Sequence, residues 1–393
     1  MPSSAAITIA RMPDDAPTRR FCATSEVHRQ LLSVDPDYRL ARSEIENMTD
    51  AVQARGFAAA APVTRTIQTV VHVVYRSERQ NISNAQIQSQ IRILNQDFRM
   101  RNRDRSMVPD VFKPLHADTR IQFRLATRDV FGNPATGITR TRTAVPAFSF
   151  DDGVKSSRTG GADPWPTRRY LNIWVCQLGD GLLGYAQFPG GPSATDGVVV
   201  LHTAFGDTGT ATAPFDRGRT TTHEVGHWLN LFHIWGDDGT GCHGSDHCPD
   251  TPNQASENFG EPSFPHISCD NGPNGDLFMN YMDYVDDRAM FMFTAGQATR
   301  MNATLNGPRR QLFERLPRYP GALGRSRPRR PAVRRVQEAL RDRFDHPDLV
   351  VDGIYGERTE RIVRTFQRRR HGPPWNLPVD GKVGKRTWAA LFA

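Results

Sequence analysis

Hydrophobic positions follow two periods along the chain, one typical of helices and one typical of buried strands. Ile87, Ile91 and Leu94 recur at helical spacing behind Ser83 and Gln86, which form the sequence pattern of a capping box. Short runs rich in β-branched residues predict strands. These runs lie at 69–75, 121–126, 171–175 and 197–201. The mixture predicts an α+β or α/β fold.

Composition divides the chain into four segments. Residues 1–62 are charged and rich in predicted helix, and they end in an Ala-rich stretch at 58–61. The predicted strands fall within a domain at 63–318. A Pro/Arg-rich linker at 319–330 separates this domain from the last segment, residues 331–393.

The last segment contains an internal repeat. VDGIYGERT at 351–359 and VDGKVGKRT at 379–387 share the pattern VDGxxGxRT, 28 residues apart. Each copy predicts a turn that is capped by its threonine and opens a helix. Apolar residues at helical spacing provide a small core, which predicts a three-helix domain. These residues are Val333, Val336, Leu340, Ile362, Val363, Phe366, Trp388 and Leu391.

Composition and charge exclude several classes of protein. The chain is 38% hydrophobic and 23% charged, as in soluble globular proteins, and no apolar run approaches the roughly 20 residues of a membrane span. The N-terminus shows no ordinary signal peptide, which leaves the export route open. The net charge of +8 comes from residues 321–393, where 17 Lys and Arg face 8 Asp and Glu. This excess is either a solubilising surface or an attraction to a polyanion such as cell wall. Nucleic acid is not expected, because interleaved aromatic residues are missing.

The strongest chemical pattern is HEVGHWLNLFH at 223–233. His223 and His227 lie four residues apart, so their imidazoles share one helix face, and Glu224 can reach a zinc-bound water without ligating the metal. His233 joins them only if the chain turns away after the second histidine. Three neutral imidazoles leave one zinc position open for water, which is the catalytic arrangement. The alternative is an amphipathic helix with chance polar residues.

The five cysteines cannot all pair. Cys242 and Cys269 flank the loop behind the histidines and are the best candidates for a disulfide, which would favour an oxidising compartment. Cys176 lies in an apolar run and is expected to be a buried free thiol. Cys248 has no obvious partner. His243 and His247 beside these cysteines could form a second zinc cluster, although a disulfide-bonded loop is the favoured interpretation.

Asn280-Tyr281-Met282-Asp283-Tyr284 resembles the Met-turn of metzincin metallopeptidases, in which the methionine, here Met282, forms an apolar floor beneath the three histidines. The set HEVGHWLNLFHIWGD, DTPNQ at 250–254 and MFTAGQ at 292–297 is similar to the pappalysin family, over residues 18–305. The resemblance implies an α+β catalytic domain with a mixed sheet and a zinc helix.

The chain departs from this family at two places. Asn230 stands where metzincins usually have Gly, and Asn is the residue that best tolerates the left-handed conformation after Gly. Glu261 and Ala289 stand where bacterial relatives usually carry the two cysteines of a second disulfide. Because both cysteines are missing together, the loss leaves no orphan thiol.

The resemblance implies roles for further residues. Glu224 would accept the proton of the attacking water, and Tyr284 would stabilise the tetrahedral oxyanion, although a core tyrosine is the alternative. Asp287 would lie at the base of the S1′ pocket and favour Arg or Lys at P1′. Arg288 beside it could neutralise that pocket instead.

The resemblance also extends to the N-terminal region and the loop behind the zinc helix. Residues 1–62 are similar to a propeptide, in which Cys22 would occupy the fourth zinc position as a thiolate. An ordinary free cysteine is the alternative. Relatives bind structural calcium near Asp246, Asp250 and Thr251, although surface polarity explains these residues equally well.

The last segment resembles the peptidoglycan-binding module of bacterial cell-wall enzymes. The leading hypothesis is a secreted zinc endopeptidase of a bacterium, made as a zymogen, that acts on proteins or peptides and is held to the cell wall. One alternative is an endopeptidase of the peptidoglycan cross-bridge. A non-catalytic wall-binding protein is disfavoured, because Glu224 and all three histidines are present.

Overall fold

The structure is a computed structural model, and it describes residues 17–55, 63–239, 241–314, 317–326, 328–372 and 375–392. The Ala-rich stretch at 58–61 therefore lies outside the described residues. Residues 17–55 form the N-terminal segment, and residues 331–393 are the C-terminal module.

A six-stranded mixed sheet forms the centre of the domain that follows the N-terminal segment. The strands are β1 Arg65–Tyr75, β2 Ile121–Leu125, β3 Ile138–Arg142, β4 Leu171–Cys176, β5 Gly184–Ala186 and β6 Val198–Leu201. Five of them follow the order β2-β1-β4-β6-β5, and β3 pairs with β1. The strand β1 pairs in parallel with β4 on one side, and with β2 and β3 end to end on the other. Among these strands only β5 is antiparallel, at the edge beside β6.

All four predicted strands are present, and β1 begins earlier than its apolar run. The two strands that the pattern did not predict are β3, whose sequence ITRTR is polar, and β5, which has three residues. Their pairing partners, β1 and β6, supply the order that their own sequences lack.

The helices of the N-terminal segment and catalytic domain surround this sheet. The helix α3 begins as predicted, because the Ser83 hydroxyl accepts a hydrogen bond from the Gln86 amide at 3.1 Å. The helices are α1 Thr24–Val34, α2 Pro36–Gln53, α3 Asn84–Phe98, α4 Arg219–Trp228 and α5 Ala295–Asn306.

The sheet separates two apolar layers, because side chains alternate between its faces. Ile173 and Val175 of β4 enter the layer that contains α3 and α4, whereas Trp174 and Cys176 enter the opposite layer. Cys176 is a buried free thiol there, and burial raises its pKa. The first layer continues beneath the three histidines, so the sheet and its helices give the site a rigid base.

The C-terminal module consists of α6 Pro331–Arg343, α7 Glu357–Arg369 and α8 Lys385–Phe392 around its own core. Its repeats form equivalent networks. In the first, the Gln337 amide donates to Asp352 at 2.8 Å and to Thr359 at 3.2 Å. The prediction that this threonine caps the helix was wrong. Gly356 occupies the N-cap position, and Thr359 lies inside α7, where its hydroxyl accepts from the glutamine of the preceding helix.

Among the described residues, no helix is both long enough and apolar enough to span a bilayer.

Candidate active site

The helix α4 ends where the chain must redirect the third histidine. Asn230 adopts φ 79°, its amide donates to the His227 carbonyl at 2.8 Å, and the Leu231 amide donates back to the Gly226 carbonyl at 3.0 Å. These bonds close a helix C-terminus with one residue in the left-handed region. Asn230 therefore performs the turn that glycine usually performs, and the chain returns His233 to the other two histidines.

The three histidines converge through one edge of each ring. The His227 Nε2 atom lies 3.1 Å from the Nε2 atoms of both His223 and His233. Their Nδ1 atoms face acceptors, namely the Tyr281 carbonyl at 2.8 Å, the Leu231 carbonyl at 2.7 Å and the Asp237 carboxylate at 2.7 Å.

This arrangement fits a zinc ion. Because each Nδ1 donates its proton outwards, the Nε2 lone pairs face one another, and a cation between them satisfies all three. Burial lowers the pKa of His223 and His227 well below the ordinary value, so both rings are neutral and able to ligate. The Cys22 Sγ atom lies in the same group, whose ligand atoms are all within 4.8 Å of one another. Three imidazoles and one thiolate are a normal zinc set.

The Met-turn lies directly beneath the zinc helix. A Cβ atom on Gly226 would come within 2.5 Å of the Met282 sulfur, so this approach requires glycine at that position. The Met282 carbonyl accepts from the Ile234 amide at 3.3 Å, and the neighbouring Tyr281 carbonyl orients His223. The turn thus positions two of the ligands through its backbone and supplies an apolar floor through Met282.

Glu224 is fully buried beside this cluster. Burial raises its pKa to about 7. Its Oε2 atom accepts from the Thr24 hydroxyl at 3.1 Å and from the Cys22 thiol at 3.4 Å. Its Oε1 atom has no hydrogen-bond partner within the described part of the chain. A buried carboxylate with an uncommitted oxygen and a pKa near neutrality is suited to general base catalysis.

The Tyr284 hydroxyl lies on the other side of Cys22. It donates to the Cys22 carbonyl at 3.0 Å and lies 3.3 Å from the Cys22 amide nitrogen, which donates to it. Burial and Glu224 raise the pKa of the Cys22 thiol, so the thiolate form requires a metal to displace its proton. The Tyr284 hydroxyl, which would donate to an oxyanion, thus donates to a carbonyl of the N-terminal segment instead.

Arg20 of the N-terminal segment is buried against Asp287, and the groups around its guanidinium define the pocket of Asp287. The Arg20 guanidinium donates to Asp287 at 2.7 Å, to the Thr220 hydroxyl at 3.0 Å and to the Val285 carbonyl at 3.3 Å. It also stacks on the Phe215 ring, 4.9 Å from its centroid. Both charged side chains are 1% exposed or less.

Arg288 does not enter this pocket. Its side chain is 47% exposed and lies 3.5 Å from Glu261 at the surface. The other oxygen of Asp287 accepts from the backbone amides of Arg217 at 2.8 Å and Arg219 at 3.1 Å, where α4 begins. Asp287 therefore binds the Arg20 guanidinium with one oxygen and stabilises the start of α4 with the other.

Sequence reasoning missed several residues that contact this site, among them Asp237, Trp235 and Arg20. Asp237 binds the Nδ1 atom of His233, and the Trp235 ring stacks on His233 with centroids 4.3 Å apart. Both follow the last histidine closely, so a histidine followed four residues later by an acid was the available signal. Arg20 had no comparable signal, because 267 residues separate it from Asp287.

The helix α2 of the N-terminal segment also contacts the turn at Asn230. Arg42 donates to the Asn230 side-chain oxygen at 2.6 Å, and the side-chain NH₂ group of Asn230 donates to Glu46 at 3.1 Å. Glu46 forms ion pairs with Arg42, at 2.6 Å, and with Arg300. Burial acts to raise the pKa of Glu46, but the two cations hold it below its ordinary value. The side chain that replaces glycine here is thus engaged by α2.

The loop behind the zinc helix contains a disulfide between Cys242 and Cys269, so Cys242 is not available for a second zinc cluster with His243 and His247. Cys248 is buried and free. The disulfide thus restrains the loop in place of a second zinc ion.

The residues named for calcium are engaged within the protein. Asp250 accepts from the Thr294 hydroxyl at 2.9 Å and from the Gly296 amide at 2.7 Å, at the start of α5. Asp246 accepts from the Thr251 hydroxyl at 2.8 Å. A calcium ion at these residues stays a prediction.

Comparison with known proteins agrees with this geometry. The family described as "Pregnancy-associated plasma protein-A", peptidase M43, matches residues 155–306, and "Putative peptidoglycan binding domain" matches residues 329–391. An extracellular metalloprotease of Pyricularia oryzae is 32% identical over 291 residues, which cover 72% of this chain and 87% of that protein.

Two solved structures are more similar in sequence. A promirolysin mutant of Tannerella forsythia is 47% identical with a TM-score of 0.70, covering 75% of this chain and 97% of that one. Mature mirolysin of Tannerella forsythia in complex with a cleaved peptide is 53% identical with a TM-score of 0.63, covering 64% and 96%. The chain is therefore a zinc metallopeptidase that belongs to the M43 (pappalysin) family and carries a peptidoglycan-binding domain behind its catalytic domain.

Proposed function

We propose that this protein is a secreted zinc endopeptidase of a bacterium, made as a zymogen, that cleaves proteins before Arg or Lys and is held to the cell wall. Residues 1–62 would be the propeptide, 63–318 the catalytic domain, 319–330 a linker and 331–393 the wall-binding domain. The observation that carries the proposal is the convergence of three Nε2 lone pairs beside an uncommitted oxygen of Glu224.

His223, His227 and His233 would hold the ion. When bound, zinc supplies a water of lowered pKa and polarises the scissile carbonyl. Glu224 accepts the proton of the attacking water and later passes it to the leaving amine, a role that its pKa of about 7 allows in both directions. The Tyr284 hydroxyl donates to the oxygen that becomes negative, from the position where it now donates to the Cys22 carbonyl.

Specificity for a cationic P1′ residue rests on the pocket of Asp287. Arg20 fills it with an ion pair, two further hydrogen bonds and a stacked ring, so the pocket accommodates a guanidinium completely. A neutral side chain such as Leu would leave the buried carboxylate without its cation, which is costly. The N-terminal segment thus supports the proposal by providing an arginine of its own.

Latency rests on three contacts of the same segment. Cys22 supplies the fourth ligand atom, Arg20 fills the pocket, and the chain pairs with the edge strand, since the Leu183 amide donates to the Phe21 carbonyl at 3.0 Å. The match to promirolysin also covers more of this chain than the match to mature mirolysin, 75% against 64%. Both observations support a zymogen.

Replacing Cys22 with Ala should give the intact zymogen measurable peptidase activity, because the fourth zinc position becomes open to water. The measurement is hydrolysis of an Arg peptide before any N-terminal cleavage, together with the visible spectrum of the cobalt-substituted zymogen. The thiolate-to-cobalt absorption should disappear in this variant and remain in Cys248→Ala, which removes another buried free thiol. A Cys22→Ala zymogen that stays fully latent would contradict the switch.

Replacing Asn230 with Gly should speed conversion of the zymogen by about tenfold, because hydrogen bonds to charged partners contribute roughly 1.5–3 kcal/mol each. The mature enzyme should keep its stability, since glycine adopts the positive φ of this position without strain. Conversion is followed on gels, and stability by thermal unfolding. Asn376→Gly is the matched control, because it also changes an asparagine at positive φ but lies in the C-terminal module. Equal conversion rates for the two variants would show that the contacts of Arg42 and Glu46 with Asn230 do not hold the N-terminal segment in place.

Attachment to the cell wall rests on the C-terminal module. The family match covers residues 329–391, and residues 321–393 carry 17 Lys and Arg against 8 Asp and Glu. Binding to purified sacculi that persists at high salt supports specific recognition, whereas binding lost with salt indicates charge attraction alone. The same sacculi test the alternative substrate: release of amines from them, without digestion of casein, would favour a cross-bridge endopeptidase.

A further inference from the structure

The N-terminal segment places two adjacent arginines in two different environments. Arg20 fills the pocket of Asp287, whereas the Arg19 guanidinium lies over the Phe259 ring, 4.6 Å from its centroid. The two neighbouring guanidinium groups contact different rings, Phe215 for Arg20 and Phe259 for Arg19. The Phe259 ring is therefore a second position, beside the proposed P1′ pocket, that a guanidinium contacts in this structure.

A cavity of about 350 Å³ opens at this position, which lies near the lower end of the roughly 300–1,000 Å³ typical of ligand pockets. Phe259 forms part of its wall, and the same ring packs against the Tyr284 ring with centroids 6.1 Å apart. Phe259 thus connects the wall of the cavity to Tyr284. Its charged and titratable lining residues are Glu257, Glu261, His266 and Asp276.

The carboxylates of this cavity are unequally committed. Asp276 accepts hydrogen bonds from Ser268 and Asn271, each at 2.7 Å, and from His266 at 2.9 Å, so it is part of the loop's own structure. Glu257 has no ion pair or side-chain hydrogen bond to any residue that the structure describes. The remaining acid, Glu261, has one weak partner.

Within the described part of the chain, Glu261 forms an ion pair with Arg288 alone, at 3.5 Å, and both side chains are about half exposed. Exposed pairs of this kind contribute little, so a substrate cation can compete for Glu261. The neighbouring Asp286 has a raised pKa, through burial and then through Glu261, which marks the surroundings as electronegative.

We propose that Phe259, Glu257 and Glu261 form a second substrate subsite that binds a Lys or Arg side chain next to the P1′ residue. The inference rests on the proposed function, because it uses Arg20 to mark the P1′ pocket. From Cys22 at the histidines, the chain passes Arg20 and then reaches Arg19 one residue further on. The second cation therefore occupies P2′, and the preferred substrates contain two consecutive basic residues after the scissile bond.

Peptides that share Arg at P1′ and differ at P2′ test this subsite. The enzyme is the activated form, which has lost the N-terminal segment and keeps the C-terminal module. With Arg at P2′, kcat/KM should exceed that of the Gln peptide by about fivefold, since an exposed cation–π contact and a surface ion pair are each weakly favourable. An Asp peptide should be cleaved more slowly than the Gln peptide. Equal rates for Arg and Gln would overturn the subsite.

Charge variants connect the preference to these residues. The double substitution of Glu257→Gln and Glu261→Gln should lower the Arg-to-Gln ratio to about twofold, the part that the Phe259 ring contributes, whereas Glu338→Gln, in the C-terminal module, should leave it as in the wild type. Glu261→Lys should reverse the order of the Arg and Asp peptides, a gain that misfolding cannot produce. An unchanged order would overturn the assignment.

These results are distinguishable from failure of the proposed function. The P1′ proposal is tested separately with Leu in place of Arg at P1′. A strong preference for Arg at P1′ together with no discrimination at P2′ rejects only the second subsite. If the enzyme shows no preference for Arg at P1′, the proposed P1′ pocket is wrong, and the second subsite, which is placed relative to it, is rejected as well.

Discussion

Replacing Glu224 with Gln should lower kcat/KM by about a thousandfold or more, because general base catalysis contributes roughly 10²–10⁴-fold and the buried Glu224 carboxylate has an uncommitted oxygen beside Cys22. Glutamine has the same shape and keeps an acceptor for the Thr24 hydroxyl, but it cannot take a proton. The measurement is peptide hydrolysis by the activated enzyme, alongside its zinc content.

The zinc content separates loss of chemistry from loss of the site. It should stay at one ion per chain in Glu224→Gln, because the carboxylate is not a ligand. The surface variant Glu338→Gln should keep both zinc and activity. Substantial turnover by the zinc-loaded Glu224→Gln enzyme would show that another group accepts the proton, and the proposed mechanism would be wrong.

Replacing Asp287 with Asn should reduce the preference for Arg over Leu at P1′ by about a hundredfold, since breaking a buried ion pair costs roughly 3–5 kcal/mol. The side-chain oxygen of Asn can still accept from the Arg217 and Arg219 amides. Its NH₂ group then faces the guanidinium of the substrate, and two donors repel each other. The measurement is kcat/KM for paired peptides with neutral P2′ residues.

A control is needed because Asp287 also supports the start of α4. Asp207→Asn makes the same chemical change at a partly exposed residue that pairs with Arg92. It should leave the Arg-to-Leu ratio unchanged. Thermal unfolding shows whether Asp287→Asn has weakened the helix. If the wild-type enzyme cuts Leu and Arg peptides equally, the charged pocket does not determine specificity.

Local sequence determined the elements that depend on neighbouring residues. The spacing of His223 and His227 fixes a shared helix face, and Ser83 caps α3 through a bond to a residue three positions away. The buried runs at 171–175 and 197–201 formed strands because they are apolar enough to be ordered by burial alone. Such features extend over one or two turns or a single strand, so the pattern is complete within the local sequence.

Contacts between distant parts of the chain were beyond this reasoning. β5 is a three-residue strand that acquires order from β6 and from the Ala23 amide, which donates to the Gly184 carbonyl at 3.2 Å. The second acceptor beside His233, the Ser25 hydroxyl at 3.3 Å, comes from α1, 208 residues away. No periodicity connects such pairs. They become neighbours only when the whole sheet and its helices have closed.

The sequence by itself determined the catalytic type of this protein, because the metal ligands and the general base lie within eleven residues and the spacing of a helix brings them together. It also determined that Asn230 could make the turn, since its tolerance of positive φ is a property of the residue. Only the tertiary structure decided what that side chain does, by placing Arg42 and Glu46 of α2 against it. The reason is physical: conformational preference belongs to one residue, whereas a buried charge network exists only where the folded chain excludes water around all its members.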